Sequence, residues 1–243
     1  MDHLIYITLV FILAGAVKGV TGMGLPTVAV ALLSLVMRPV EAAALLVVPS
    51  LLTNGWQLLS GAPVLPLLRR LWPMMAGICA GTLLAGAAAL DAPWAVGALG
   101  LALVAYALLG LQAVRWRVAP GMEGVLSPLA GAATGALSAA TGVFVVPAVP
   151  YLQALELDKD ELVQAMGLSF MVSTVALAIV LAGRDAWQPA VAGMSFLAQL
   201  PALAGMLLGQ RLRGRMPPAL FRRCFLLALM VLGMHLALRW AWH

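Results

Sequence analysis

Residues 18–26, Lys-Gly-Val-Thr-Gly-Met-Gly-Leu-Pro, set a cation, three glycines and a proline inside an otherwise apolar segment that runs from Leu4 to Met37. Glycine tolerates irregular backbone, and proline is preset for a first helical turn, so one helix is expected to stop at Lys18 or just after it and another to begin at Pro26. Hydrocarbon offers no partner to freed N–H and C=O groups. A break at membrane depth therefore survives only where it is buried in protein or lines a polar cavity.

The membrane setting follows from composition: 63% of the 243 residues are hydrophobic and 9% charged, against about a quarter charged in soluble domains. The net charge of +5 falls in short loops, without a basic face interleaved with aromatics, which gives nucleic-acid binding no support. Cys79 and Cys224 stand far apart in apolar runs and read as small packing residues. Asp2 and His3 supply no basic leader region, so the N-terminal segment reads as mature protein.

In chain order the apolar segments are 4–37 with its break, then about 42–59, 71–90 and 93–114. After the basic Arg115-Trp116-Arg117 loop come 125–155, broken around Ser138–Pro147, and about 161–182, 187–209 and 218–240. The halves also match in residues. Ala14-Gly15-Ala16 and Gly19 fall against Ala130-Gly131-Ala132 and Gly135, Thr21-Gly22 against Thr141-Gly142, Glu41 against Glu161, Gly81 against Gly205, and Pro93 against Pro217. Their constant order favours an internal duplication, with repeats over residues 1–114 and 125–243.

Neither arm of the first broken segment, fifteen residues over Leu4–Lys18 and twelve over Pro26–Met37, comfortably spans a bilayer that needs about twenty. If each broken segment returns to its own side, Arg69, Arg70, Arg115, Arg117, Lys159, Arg211, Arg213 and Arg215 share one face, with Arg222 and Arg223 near it. Arg38, Arg184 and Arg239 face the other way. A single crossing would erase that bias, so the positive-inside rule selects the hairpin. The expected fold is an all-α polytopic membrane protein of two inverted repeats, each a re-entrant helical hairpin plus three transmembrane helices, with both termini outside.

The Ala-Gly-x-x-x-Gly-x-x-Gly-x-Gly-x-Pro run from Ala14 to Pro26, the second break ending in Pro147 and the four-plus-four apolar plan resemble the TauE/SafE sulfite exporter family over nearly the whole chain. The resemblance implies movement of sulfite, or of sulfonates such as sulfoacetate, across the bacterial inner membrane. The second break, Ser138 to Phe144, lacks the denser glycines of the family.

The chemistry of the residues suits an anion. Unpaired N–H groups and the helix dipole put partial positive charge where half-helices begin, at Pro26-Thr27 and at Pro147. Gly22, Gly24 and Gly142 also suit close helix packing, and Thr21 and Thr141 suit either substrate or freed carbonyls. Lys18 is the ionisable side chain well inside an apolar segment, either a counter-charge to substrate or a snorkelling cation, with Thr134 at its repeat position. Ser50, Asn54 and Gln57 form a polar stripe with Thr53 beside them, and Ser169 and Ser173 form its counterpart. The expected substrate-binding set is Lys18, Thr21, Gly22, Gly24, Thr27, Asn54, Gln57, Thr141, Gly142, Ser169 and Ser173.

Glu41, Asp91, Glu161 and Asp185 all lie at segment ends, so a buried proton relay has no support, and no metal motif surrounds His235. No cofactor is expected. The partners are a small anion and membrane lipid, in a monomer or homodimer. A passive anion channel shares these features, whereas an intramembrane enzyme would need a carboxylate or His beside an Arg at depth.

Overall fold

A computed structural model describes residues 2–61, 63–89, 92, 94–112, 117–119, 121–183, 188–213 and 218–242. Leu90, Asp91, Pro93, Val114, Arg115, Trp116, Arg184, Asp185, Trp187, Arg215 and Pro217 lie outside the described residues. Every regular element among the described residues is a helix. The helices are α1 (Asp2–Thr21), α2 (Leu25–Leu33), α3 (Pro39–Leu59), α4 (Val64–Ala89), α5 (Ala95–Gln112), α6 (Glu123–Thr141), α7 (Ala148–Ala154), α8 (Lys159–Ala182), α9 (Pro189–Arg213) and α10 (Pro218–Ala241). Among the described residues six helices, α1, α3, α5, α8, α9 and α10, are long and apolar enough to cross a bilayer. Leu13, Leu84, Leu200 and Val231 are among the large apolar side chains on the outer surface, where lipid rather than water is the matching solvent. The protein is a multi-pass membrane protein.

The first break starts later than the sequence suggests. Helix α1 continues through Lys18 to Thr21, and its 20 residues reach about 30 Å, so this arm is long enough to span by itself. Gly22 (φ 78°) and Gly24 (φ 96°) then turn the chain through the left-handed region, and Pro26 sits in the first turn of α2. Tyr6 Oη donates to Leu32 O at 2.7 Å, so the end of α2 returns towards the start of α1. The second break repeats the device: α6 ends at Thr141, and Gly142 has φ 69°.

Three helix pairs make the most extensive interfaces: α4 with α6, α1 with α9, and α5 with α10. In the first two, glycines bring the two backbones into direct contact. A methyl group built on Gly15, Gly19, Gly205 or Gly209 would collide with the carbonyl of Ala202, Met206, Ile12 or Ala16, respectively. On Gly77, Gly81, Gly131 or Gly135 it would meet that of Pro128, Ala132, Met74 or Ile78. Both pairs run parallel, since partner numbers rise together. Helices α5 and α10 run antiparallel, with Gly97 against Trp240 and Gly110 against Leu226. Helices α3 and α8 also run antiparallel, joined by Gln57 Nε2 to Val163 O at 2.7 Å and Gln164 Nε2 to Leu58 O at 2.9 Å. The helix before each break thus lies along a helix distant in sequence, α1 along α9 and α6 along α4.

Charges gather at the two ends of this bundle. Arg70 forms a two-pronged pair with Glu123 at 2.8 and 3.0 Å, and Arg117 pairs with Glu156 at 2.7 Å. Arg239 reaches Leu35 O, at the end where Arg38 meets Glu41. Glu41 and Glu161 each accept the backbone N–H three residues before them, at 3.1 and 3.4 Å, which accounts for carboxylates at these two helix starts.

Candidate functional site

The two breaks have the same local chemistry. Thr21 Oγ1 lies 2.9 Å from Val17 O and accepts the Met23 N–H at 3.2 Å. Thr141 Oγ1 donates to Leu137 O at 2.6 Å and accepts the Val143 N–H at 3.2 Å. Gly22 N donates to Lys18 O, and Gly142 N to Ser138 O. Both threonines therefore serve backbone groups freed by the break. The same matching puts Ser138, rather than Thr134, at the position of Lys18, which corrects the sequence alignment there. Thr134 Oγ1 is spent on Ala130 O at 2.7 Å.

Two cavities flank the first break. One, of about 540 Å³, is walled by Lys18, Gly19 and Gly22 of α1 and its break, Thr53, Trp56 and Gln57 of α3, Asp160 and Gln164 of α8, and Met206, Gln210 and Arg213 of α9. The other, of about 680 Å³, meets Thr21 and Met23 from the far side, with Tyr106, Arg117, Lys159, Arg222 and Phe225 in its wall. Arg213 borders both. The first is a polar chamber holding two cations, one carboxylate and three amides. It suits a small anion that needs charge and several N–H donors.

Lys18 is 4% exposed, and its ammonium donates to Asn54 Oδ1. It does not snorkel: it points into the bundle and is held by a neutral carbonyl group, with no carboxylate cancelling its charge in that bond. Asn54 Nδ2 has no partner among the described residues. Gln57 borders the chamber but spends its amide N–H on Val163 O, a helix-to-helix bond.

The structure thus gathers Lys18, Gly22 and Gln57 around one chamber, with Asn54 buried beside Lys18, and puts Thr21 on the neighbouring cavity. The rest of the expected set lies elsewhere. Gly24 is covered by Phe225 and Val17, Gly142 by Val30 and Ala43. Thr27, Thr141, Ser169 and Ser173 are fully buried, and Ser173 Oγ bonds Ser169 O at 2.9 Å. Arg213, Gln164, Gln210 and Asp160 were missed. Arg213 reads as an orientation charge in the sequence, yet Met206, Gln210 and Arg213 recur at spacings of four and three, which put them on one face of α9.

No curated protein and no solved structure matches the chain. Residues 7–236, nearly the whole length, match the family model described as Sulfite exporter TauE/SafE, and the chain belongs to that family.

Proposed function

We propose that the protein is a secondary transporter that exports a small sulfur-containing oxyanion or organosulfonate, sulfite or a sulfoacetate-like anion, across the inner membrane. The observation that carries this reading is Lys18, a buried ammonium tied to a neutral amide at the wall of a chamber of about 540 Å³. Its charge is available to an incoming oxyanion. Arg213 and the Gln210 amide in the chamber wall supply further donors, and the unpartnered Asn54 Nδ2 lies buried beside Lys18. The start of α2 at Pro26-Thr27 adds a helix N-terminus beside the first break.

The architecture in this reading is two inverted repeats, residues 1–114 and 125–243, each a hairpin followed by three spans. The exchanged pairing of α1 with α9 and α6 with α4 supports it. So do the antiparallel self-pairings of α3 with α8 and α5 with α10, because a two-fold axis relating antiparallel helices runs across them. Arg70, Arg117, Lys159, Arg213 and Arg222 then mark the cytoplasmic face, both termini lie outside, and both cavities open inwards. Export of an anion from a negative interior is downhill by about 2.3 kcal/mol per charge per 100 mV, so no coupling ion is required.

Flux of sulfite, thiosulfate, taurine, sulfoacetate and acetate into proteoliposomes tests the reading. Saturable, exchangeable flux of sulfur oxyanions over acetate is expected. Acetate-dominated flux would remove the substrate class, and non-saturating conductance would favour a channel. External thiol labelling should leave a Lys159→Cys reporter silent and modify one near the N-terminus; the reverse pattern sinks the orientation.

A further inference from the structure

Helix α9 presents one stripe to the chamber. Met206, Gln210 and Arg213 border it, and Gln199 lies on the same stripe, seven residues or about 10 Å deeper. The stripe ends at Ser195, whose hydroxyl donates to Leu45 O at 2.8 Å and accepts Val48 N at 3.1 Å. Pro49 has no N–H to give Leu45 O, so Ser195 replaces that bond. Ser195 thereby fixes the depth scale between the helices. Gln199, one turn on, lies at the level of Pro49 to Leu52, just beneath Asn54.

Gln199 is 7% exposed, and neither Nε2 nor Oε1 has a partner among the described residues. Ser50 Oγ, at that depth on α3, is also unpartnered, as is Asn54 Nδ2 one turn above it. Buried polar side chains are nearly always paired, and an amide in a membrane bundle ordinarily bonds a neighbouring helix. Gln199 bonds none. We infer that Gln199, with Ser50 and Asn54, forms an inner binding station that receives the anion after it passes the Lys18 chamber. The chemistry of the station specifies its ligand further. A glutamine amide offers a donor and an acceptor side by side, with no net charge. A fully deprotonated oxyanion would use the donor and set its own oxygens against Oε1. An anion that keeps one O–H satisfies both groups at once, so the station selects the singly protonated form, of which hydrogensulfite in its hydroxyl form is the type.

This inference rests on the transporter reading, and the test separates the two. Proteoliposome flux is measured for sulfite and for methanesulfonate, a singly charged sulfur oxyanion without an O–H. Wild type is expected to prefer sulfite, and the preference to fall as pH rises through the second ionisation of sulfite while methanesulfonate flux stays level. Gln199→Met keeps the volume and removes both groups; it should cut the sulfite-to-methanesulfonate ratio about ten-fold, the loss expected for a hydrogen bond to a charged ligand. Gln199→Asn, with both groups on a shorter arm, should keep the preference at reduced flux. An unchanged ratio in Gln199→Met, or one lost equally in Gln199→Asn and Gln199→Met, would overturn the station and leave the transporter standing. A wild type that moves neither anion overturns the transporter reading and the station with it.

Discussion

The two helix breaks share their local chemistry and differ in what surrounds them. Thr21, Gly22 and Met23 are half-buried between two cavities, whereas residues 141–145 are buried, with Val30 and Ala43 pressed on Gly142. The threonine hydroxyl and left-handed glycine are set by local sequence and occur in both. Access is set by tertiary packing and occurs at one. Seen as doors, the first break stands ajar onto two cavities and the second is shut.

Valine substitutions at the two left-handed glycines give the sharpest contrast. Gly142→Val adds left-handed strain to collision with Val30, whose nearest atom would lie 3.0 Å from the new Cβ, and should lose about 2–5 kcal/mol of stability. Gly22→Val meets nothing within 4 Å, so only strain of about 1–2 kcal/mol is expected, with flux impaired because the side chain fills the chamber mouth. Melting curves in detergent beside flux would show it; equal destabilisation would mean that the first break is as tightly enclosed as the second. Lys18 comes next. Lys18→Met should weaken anion binding about ten- to a hundred-fold, and Lys18→Glu should abolish it, while Ser138→Met at the equivalent position leaves affinity within a few-fold of wild type. A binding constant unmoved in Lys18→Glu would take this residue out of the site.

Labelling reads the doors directly. In inside-out vesicles a cysteine at Gly22 should react with a polar maleimide and one at Val143 should not; equal rates would erase the asymmetry. The smallest effects belong to the threonines. Thr21→Val and Thr141→Val each lose a backbone-directed hydrogen bond, about 1 kcal/mol, and the buried Thr141 should lie at the upper end of that range. A large flux defect in Thr21→Val with unchanged stability would instead place its hydroxyl on the substrate.

Much of this was legible in sequence because glycine and proline write backbone geometry locally. The break at Gly22–Pro26 and the carboxylates at helix starts required no tertiary knowledge. Register was harder. In a parallel seam with glycines four residues apart, sliding by one turn sets glycine on glycine again, so Gly15 matches Gly131 as readily as Gly135. The break chemistry selects the spacing of Thr21 from Thr141 and with it Ser138 as the counterpart of Lys18. The ends of α1 were misjudged because Gly19 is a poor helix former by propensity, yet contact with Met206 O requires it in the helix. Gln199 was invisible because a lone glutamine in an apolar run has no local pattern. Only its stripe and its missing partners mark it.

The glycine seams also govern how the protein can move. Backbones that touch without intervening side chains cannot creep past one another in small increments, since every glycine faces a carbonyl and the next fit lies a full turn, about 5.4 Å, away. The blades α1–α9 and α4–α6 are therefore rigid bodies, each riveted from pieces of both halves. The crossing of α3 and α8 is joined in part by side chains, through the Gln57 and Gln164 bonds, which can be released and remade on neighbouring carbonyls. In the proposed inverted-repeat architecture each such body joins a helix from either half of the chain.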